Sequence, residues 1–150
     1  MSNRIVPHVL AQRPPLPRRH SKRFAGLADN VKPARAWLAA LLADSAVPRQ
    51  TAADAILLLS ELATNAIRHT PSGHADGTFR VHLHHGPGRL RVEVHDDGTG
   101  HDPYRLRVVA GPDTENGRGL LLVQALADAW GRLPSGMGPG SYFELAWGPR

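Results

Sequence analysis

The sequence predicts a single domain of the α+β class, and three observations carry that expectation. Two helical patterns run in succession between residues 30 and 69, an alternating apolar and polar stretch turns back on itself as a hairpin between residues 79 and 95, and a third helical pattern at 117–128 leads to a final strand. A chain of 150 residues can bury roughly two-thirds of its unfolded surface around one core without staples. With no cysteine, disulfides, thiolate zinc sites and cysteine nucleophiles are excluded. The longest apolar runs, at residues 38–43, 56–59 and 120–123, fall far short of the ~20 residues that cross a bilayer. Pro7 and His8 interrupt any leader-like apolar stretch. The expected location is cytoplasmic, with no membrane partner.

Each element has its own signal. Residues 1–22 hold Pro7, Pro14, Pro15 and Pro17 among arginines, a composition that cannot offset the entropy of ordering, and are expected to form a disordered basic arm ahead of a domain at 23–150. A short strand is expected around residues 23–27. Asp29 or Asn30 then caps a helix running to about Asp44, with Ala34, Trp37, Leu38, Leu41 and Leu42 as its apolar face. Pro48 closes that unit. Thr51 and Asp54 have capping-box spacing and open the longest helix, which runs to about His69 before Pro71 and Gly73 stop it.

Phe79, Val81 and Leu83 alternate with Arg80, His82 and His84; Gly86-Pro87-Gly88 turns; Leu90, Val92 and Val94 alternate with Arg91, Glu93 and His95. This is a β-hairpin with one wet face. Residues 101–116 show no period and contain Pro103, Gly111 and Pro112, as a loop would. Gly117-Arg118-Gly119 opens a helix ending near Asp128, and Phe143, Leu145 and Trp147 mark the last strand.

The net charge of +5 is unevenly placed. Arg4, Arg13, Arg18, Arg19, Lys22 and Arg23 stand in the first 23 residues without any acid, leaving the remainder with 12 positives and 13 negatives. The basicity belongs to the arm, so the domain itself is not expected to bind nucleic acid. The arm lacks interleaved aromatics, and direct contact with DNA or RNA through it is the weaker alternative.

Three clusters can carry chemistry. Glu61, Asn65 and His69 are spaced i, i+4, i+8 and form one stripe of the long helix. Asn65 offers a hard oxygen to a Mg²⁺ that also holds substrate phosphates, and Glu61 one turn earlier can orient or deprotonate a nucleophile; the plainer alternative is a solvated polar stripe. Asp96-Asp97-Gly98-Thr99-Gly100 closes a strand, where a carboxylate can accept from an exocyclic amine and glycines let backbone approach a flat base. Asp and Gly are also what turns use. Gly117-Arg118-Gly119 at a helix start suits phosphate, although a lone Gly-x-Gly is weak and matches neither the dinucleotide fingerprint nor a P-loop.

Taken in order, Glu-x-x-x-Asn on a helix, Asp-x-Gly-x-Gly after a hairpin, an irregular loop and Gly-x-Gly on a helix resemble the GHKL (Bergerat-fold) ATPases. The resemblance covers about residues 23–148, a histidine-kinase-like ATPase domain. It is closest to the bacterial branch of anti-sigma factors that are also serine-protein kinases. Residues 60–69, 92–100 and 117–131 resemble that branch's N, G1 and G2 boxes.

The resemblance implies a two-layer α/β sandwich, with helices on one face of a mixed, mainly antiparallel sheet. It implies that Asn65 binds Mg²⁺, that Glu61 is the base for phosphoryl transfer and that Asp96 reads adenine. Gly98 and Gly100 would line base and ribose, residues 101–116 would form a lid over ATP, and Gly117, Arg118 and Gly119 would sit at the phosphates. The implied activity is transfer of the γ-phosphoryl group to a serine of a STAS-type anti-anti-sigma antagonist, together with sequestration of a sigma factor. Family members commonly form homodimers. One departure stands out: Glu115 and Asn116, rather than a basic residue, precede Gly117, which favours a second possibility, a nucleotide-binding regulatory module without kinase turnover.

The histidines form a separate group. His82 and His84 share a strand face with His95 opposite, an arrangement that can hold a metal at the surface but is more often a wet sheet face. His69 is expected to meet the terminal carbonyls of its helix.

Overall fold

The computed structural model describes residues 16–98 and 115–149, with side chains from residue 121 onward in the second stretch. In chain order its elements are β1 (Arg18–Ala25), α1 (Val31–Ala43), α2 (Arg49–His69), β2 (Thr78–Gly86), β3 (Arg89–His95), α3 (Glu115–Leu126), β4 (Ala129–Arg132) and β5 (Gly140–Ala146). The strands form one sheet in the order β1-β2-β3-β5-β4. Every described pairing is antiparallel, from Phe24 opposite Phe79 to Trp130 opposite Phe143.

Alternation along β2 and β3 sends Phe79, Val81, Leu83, Leu90, Val92 and Val94 to one face, where each is at most 1% exposed. On α2, Ala55, Leu58, Leu59, Leu62, Ala63 and Ala66 recur at helical spacing and are buried. The two apolar surfaces join in one core with Ala34, Leu38 and Leu42 of α1, Val123 of α3 and Phe143 of β5. Phe24 stacks on Phe79 at 5.4 Å and meets Trp37 edge-on at 6.3 Å, tying β1 and α1 to the same core. The chain is thus an α+β sandwich with helices on one face of an antiparallel sheet, as expected.

Four local differences have physical causes. β1 starts at Arg18, not Arg23, so it takes in residues that composition assigns to the arm; residues 1–15 lie outside the described ones. It is an edge strand with only Phe24 buried, and an edge can be built from charged residues that alternation rules do not flag. The long helix begins at Arg49, with extended Pro48 preceding it and Ala52 N–H donating to Pro48 O at 2.8 Å. Thr51 therefore lies inside the helix, and Asp54 accepts from the Gln50 side chain at 3.0 Å instead of closing a capping box. Asn30 occupies the N-cap of α1, but its side chain donates to Ala25 O at 2.9 Å. Finally, β4 has four residues, too few to show a period.

Candidate functional site

Asn65 lies on the buried side of α2 and is 7% exposed, while Glu61 and His69 in the same stripe are half-buried. The stripe is thus not simply solvated. Taking a carboxamide out of water costs about 1–3 kcal/mol unless a partner satisfies it. The helix ends at His69, and Thr70 reverses the chain: its hydroxyl donates to Ala66 O at 2.6 Å and accepts from Ser72 N–H at 3.0 Å.

That reversal fastens the end of β3. Ser72 is fully buried, and its hydroxyl accepts from Asp97 N–H at 2.9 Å. Asp97 in turn accepts from Thr78 N–H at 3.0 Å, and Asp96 N–H donates to Pro139 O at 3.1 Å. Gly77 is required here, because a Cβ at that position would run into the carbonyls of Pro71 and Ser72. The segment bearing Asp96 and Gly98 is therefore tied to the end of the helix bearing Glu61 and Asn65. Sequence reasoning missed Ser72 and Asp97 as the tie; the only signal was a small hydroxyl between Pro71 and Gly73 just beyond the helix.

Asp96 is partly buried, and its Oδ1 accepts from Gly98 N–H at 2.6 Å. Gly98 has φ +73°, a conformation that favours glycine. Burial pushes the Asp96 carboxyl up, the Gly98 hydrogen bond draws it back, and the neighbouring Asp97 charge adds to the rise. The group is an acceptor in a confined setting.

The third box runs on into β4, and its Gly-x-Gly falls in α3. Gly117, Arg118 and Gly119 occupy its third to fifth positions, because the helix begins at Glu115, two residues before the expected start. The first four N–H groups of a helix have no partner within it, and they span residues 115–118 here. The last two residues of the expected lid are thus helical, while Gly100 and residues 101–114 lie outside the described residues, as does the Arg118 side chain. α3 packs against α2. Among the described residues no helix is long and apolar enough to cross a membrane.

The opposite face of the sheet, expected to be wet, holds a half-buried ionic cluster. Glu93 is 3% and Glu144 5% exposed. Arg91 binds both, with Nε 2.7 Å from Glu93 Oε2 and Nη1 2.9 Å from Glu144 Oε2, and its guanidinium lies 4.0 Å from the Tyr142 ring centre. His95 Nε2 is 2.8 Å from Glu93 Oε1. Burial would raise the Glu93 carboxyl, but the His84, His95 and Arg91 side chains around it hold it well below the usual carboxylate range. Burial also lowers His82, helped by the nearby His95. Alternation marked Glu93 as outward-facing and gave no hint that its neighbours would cover it.

Two similarities to known proteins bear on this site. Residues 24–136 match the family model described as a histidine kinase-like ATPase domain. The chain is also 33% identical over 84 residues to the serine-protein kinase RsbW of Listeria innocua serovar 6a, an overlap of 50% of this chain and 54% of that protein. The chain therefore spans about half the length of this curated relative.

Proposed function

The chain belongs to the histidine kinase-like ATPase domain family, and we propose that it binds Mg-ATP between the end of β3, the inner stripe of α2 and the start of α3. The observation that carries this is the tie from Asp97 N–H to Ser72 Oγ, which joins the Asp96 segment to the helix of Glu61 and Asn65. The donor set fits the ligand. Asp96 is a carboxylate in a confined setting, suited to accept from the adenine amino group, with Gly98 beside the base. Asn65 is a buried oxygen donor of the type Mg²⁺ takes alongside phosphates. Gly117 and Arg118 are among the first four residues of α3, whose N–H groups have no partner within the helix, a place where phosphate is favoured, and Gly119 follows them.

The activity we propose is that of an anti-sigma regulatory factor acting as a protein-serine kinase. The likeness to a serine-protein kinase supports the reaction, and the order of the three boxes supports the class. Mg-ATP supplies the γ-phosphoryl group and neutralises its charge. Within the chain, Glu61 accepts the proton of the incoming serine hydroxyl, and Arg118 stabilises negative charge. The substrate is a serine on a STAS-type anti-anti-sigma antagonist, the sequestered partner is a sigma factor, and both encounters take place in the cytoplasm.

Radiolabelled ATP with the cognate antagonist tests this. Wild type transfers label; Glu61→Ala should retain ATP binding but lose transfer by about 10²- to 10⁴-fold, the usual worth of a general base. Transfer by Glu61→Ala at the wild-type rate would remove Glu61 from the mechanism. A second reading, a nucleotide-binding regulatory module without turnover, is favoured by Glu115 and Asn116 standing before Gly117. It predicts calorimetric ATP binding with no label transferred by wild type.

A further inference from the structure

On the sheet face away from the helices, His82, Glu93 and His95 each direct one ligand atom into a common space, all within 4.8 Å of one another. β2 and β3 bring them together by register: His82 stands opposite Glu93 and Arg80 opposite His95, so all three side chains share one face. The His82 and His95 rings are 4.3 Å apart between centres. Glu93 is already oriented, since Arg91 holds Oε2 at 2.7 Å and leaves Oε1 toward the histidines. A fourth nitrogen points the same way: His84 Nε2 lies 3.7 Å from Glu93 Oε1 and is buried with no hydrogen-bond partner. A buried polar atom without a partner calls for an explanation, and an ion is one.

From this convergence we infer that His82, Glu93 and His95 form a site for a transition-metal dication of the Zn²⁺ type, with His84 adjoining it. Two imidazoles and one carboxylate are a donor set for Zn²⁺ and its neighbours, whereas Mg²⁺ prefers oxygen alone. Bond lengths of about 2.0–2.2 Å put tetrahedral ligands about 3.4 Å apart. Reaching that spacing from 4.8 Å requires the partly exposed His82 and His95 rings to turn about the Glu93 carboxylate. The Arg91 contact to Glu93 supplies the outer-shell orientation such sites use. A bound ion would bridge β2 to β3 one residue before Asp96, bracing the strand end that carries it. The site is separate from the proposed nucleotide site and does not depend on it.

Zn²⁺ calorimetry and Co²⁺ absorption on the full chain, without nucleotide, test the inference. One ion per chain is expected, with visible ligand-field bands for Co²⁺, a melting temperature that rises with Zn²⁺, and no displacement by excess Mg²⁺. His82→Ala and His95→Ala should each weaken binding by more than the roughly 10- to 100-fold that altering an outer-shell partner costs. His20→Ala, which alters the separate stacked His20 and His85 pair, should bind as wild type does. Wild-type affinity no higher than that of His82→Ala, or an equal loss in His20→Ala, would overturn the site. Both histidine positions are half-exposed, so these variants decide the matter even if Glu93→Gln fails to fold.

Discussion

At Asp96, binding and stability are expected to diverge. Its carboxyl is raised in the fold by burial and by Asp97, so the charged form is disfavoured relative to the unfolded chain, and the stability linked to this group falls as pH rises past the unfolded value of about 3.9. Asp96→Asn removes the charge and keeps an oxygen for Gly98 N–H. At neutral pH it should melt at or above wild type while binding ATP about 10- to 100-fold more weakly, the worth of a hydrogen bond to a charged group; melting and calorimetry on one sample check both. Glu93 has the opposite sign. Its depressed carboxyl contributes stability that is fully present above the unfolded value of about 4.3 and is lost as pH falls below it. Glu93→Gln, which leaves Arg91 half-paired, should cost about 3 kcal/mol at pH 7 in chelator. Urea melts should show that deficit shrinking in acid.

Between elements, the junction of α2 with β3 is the connection on which the proposed site depends. Ser72→Ala removes the acceptor of the Asp97 N–H, a part-buried hydrogen bond whose loss costs about 0.5–1.5 kcal/mol. Its ATP affinity should fall as well, whereas Leu59→Ala, in the core of α2, should cost about 2–5 kcal/mol and leave the affinity of the folded protein near wild type. Equal affinity losses in the two variants would mean that the junction does not position Asp96. These elements also show where sequence is legible. The apolar periods of α1, α2, β2 and β3 find the core because burial imposes them residue by residue. Residues 18–22 of β1 escape because they are polar or charged on an edge strand, β4 because four residues contain no period, and the start of α2 because Pro48 sets it without a side-chain cap. As candidates for the proposed site, Glu61, Asn65 and Asp96 are legible through type and spacing. The Ser72 tie and the burial of Glu93 are not, since both arise only when segments distant in sequence meet.

For the molecule as a whole, a ligand bound only by the folded state must raise its stability. At 100 times the dissociation constant Mg-ATP adds about 2.7 kcal/mol, a rise of roughly 5–10 °C in Tm for a domain of this size. At the same nucleotide concentration the rise should shrink to about half or less in Asp96→Asn and persist in full when residues 1–15, which precede β1, are deleted; differential scanning fluorimetry reads both.

The charged edge at β1 bears on self-association. Among the described residues its backbone is hydrogen bonded on one side only, by β2, and Arg18, Arg19, Lys22 and Arg23 stand along its eight residues. If two copies met along this edge, four cations from each would be drawn into one ladder, a repulsion that fades only as salt shortens the range of charge. A homodimer of this chain, if it forms at low ionic strength, is therefore expected to use another surface.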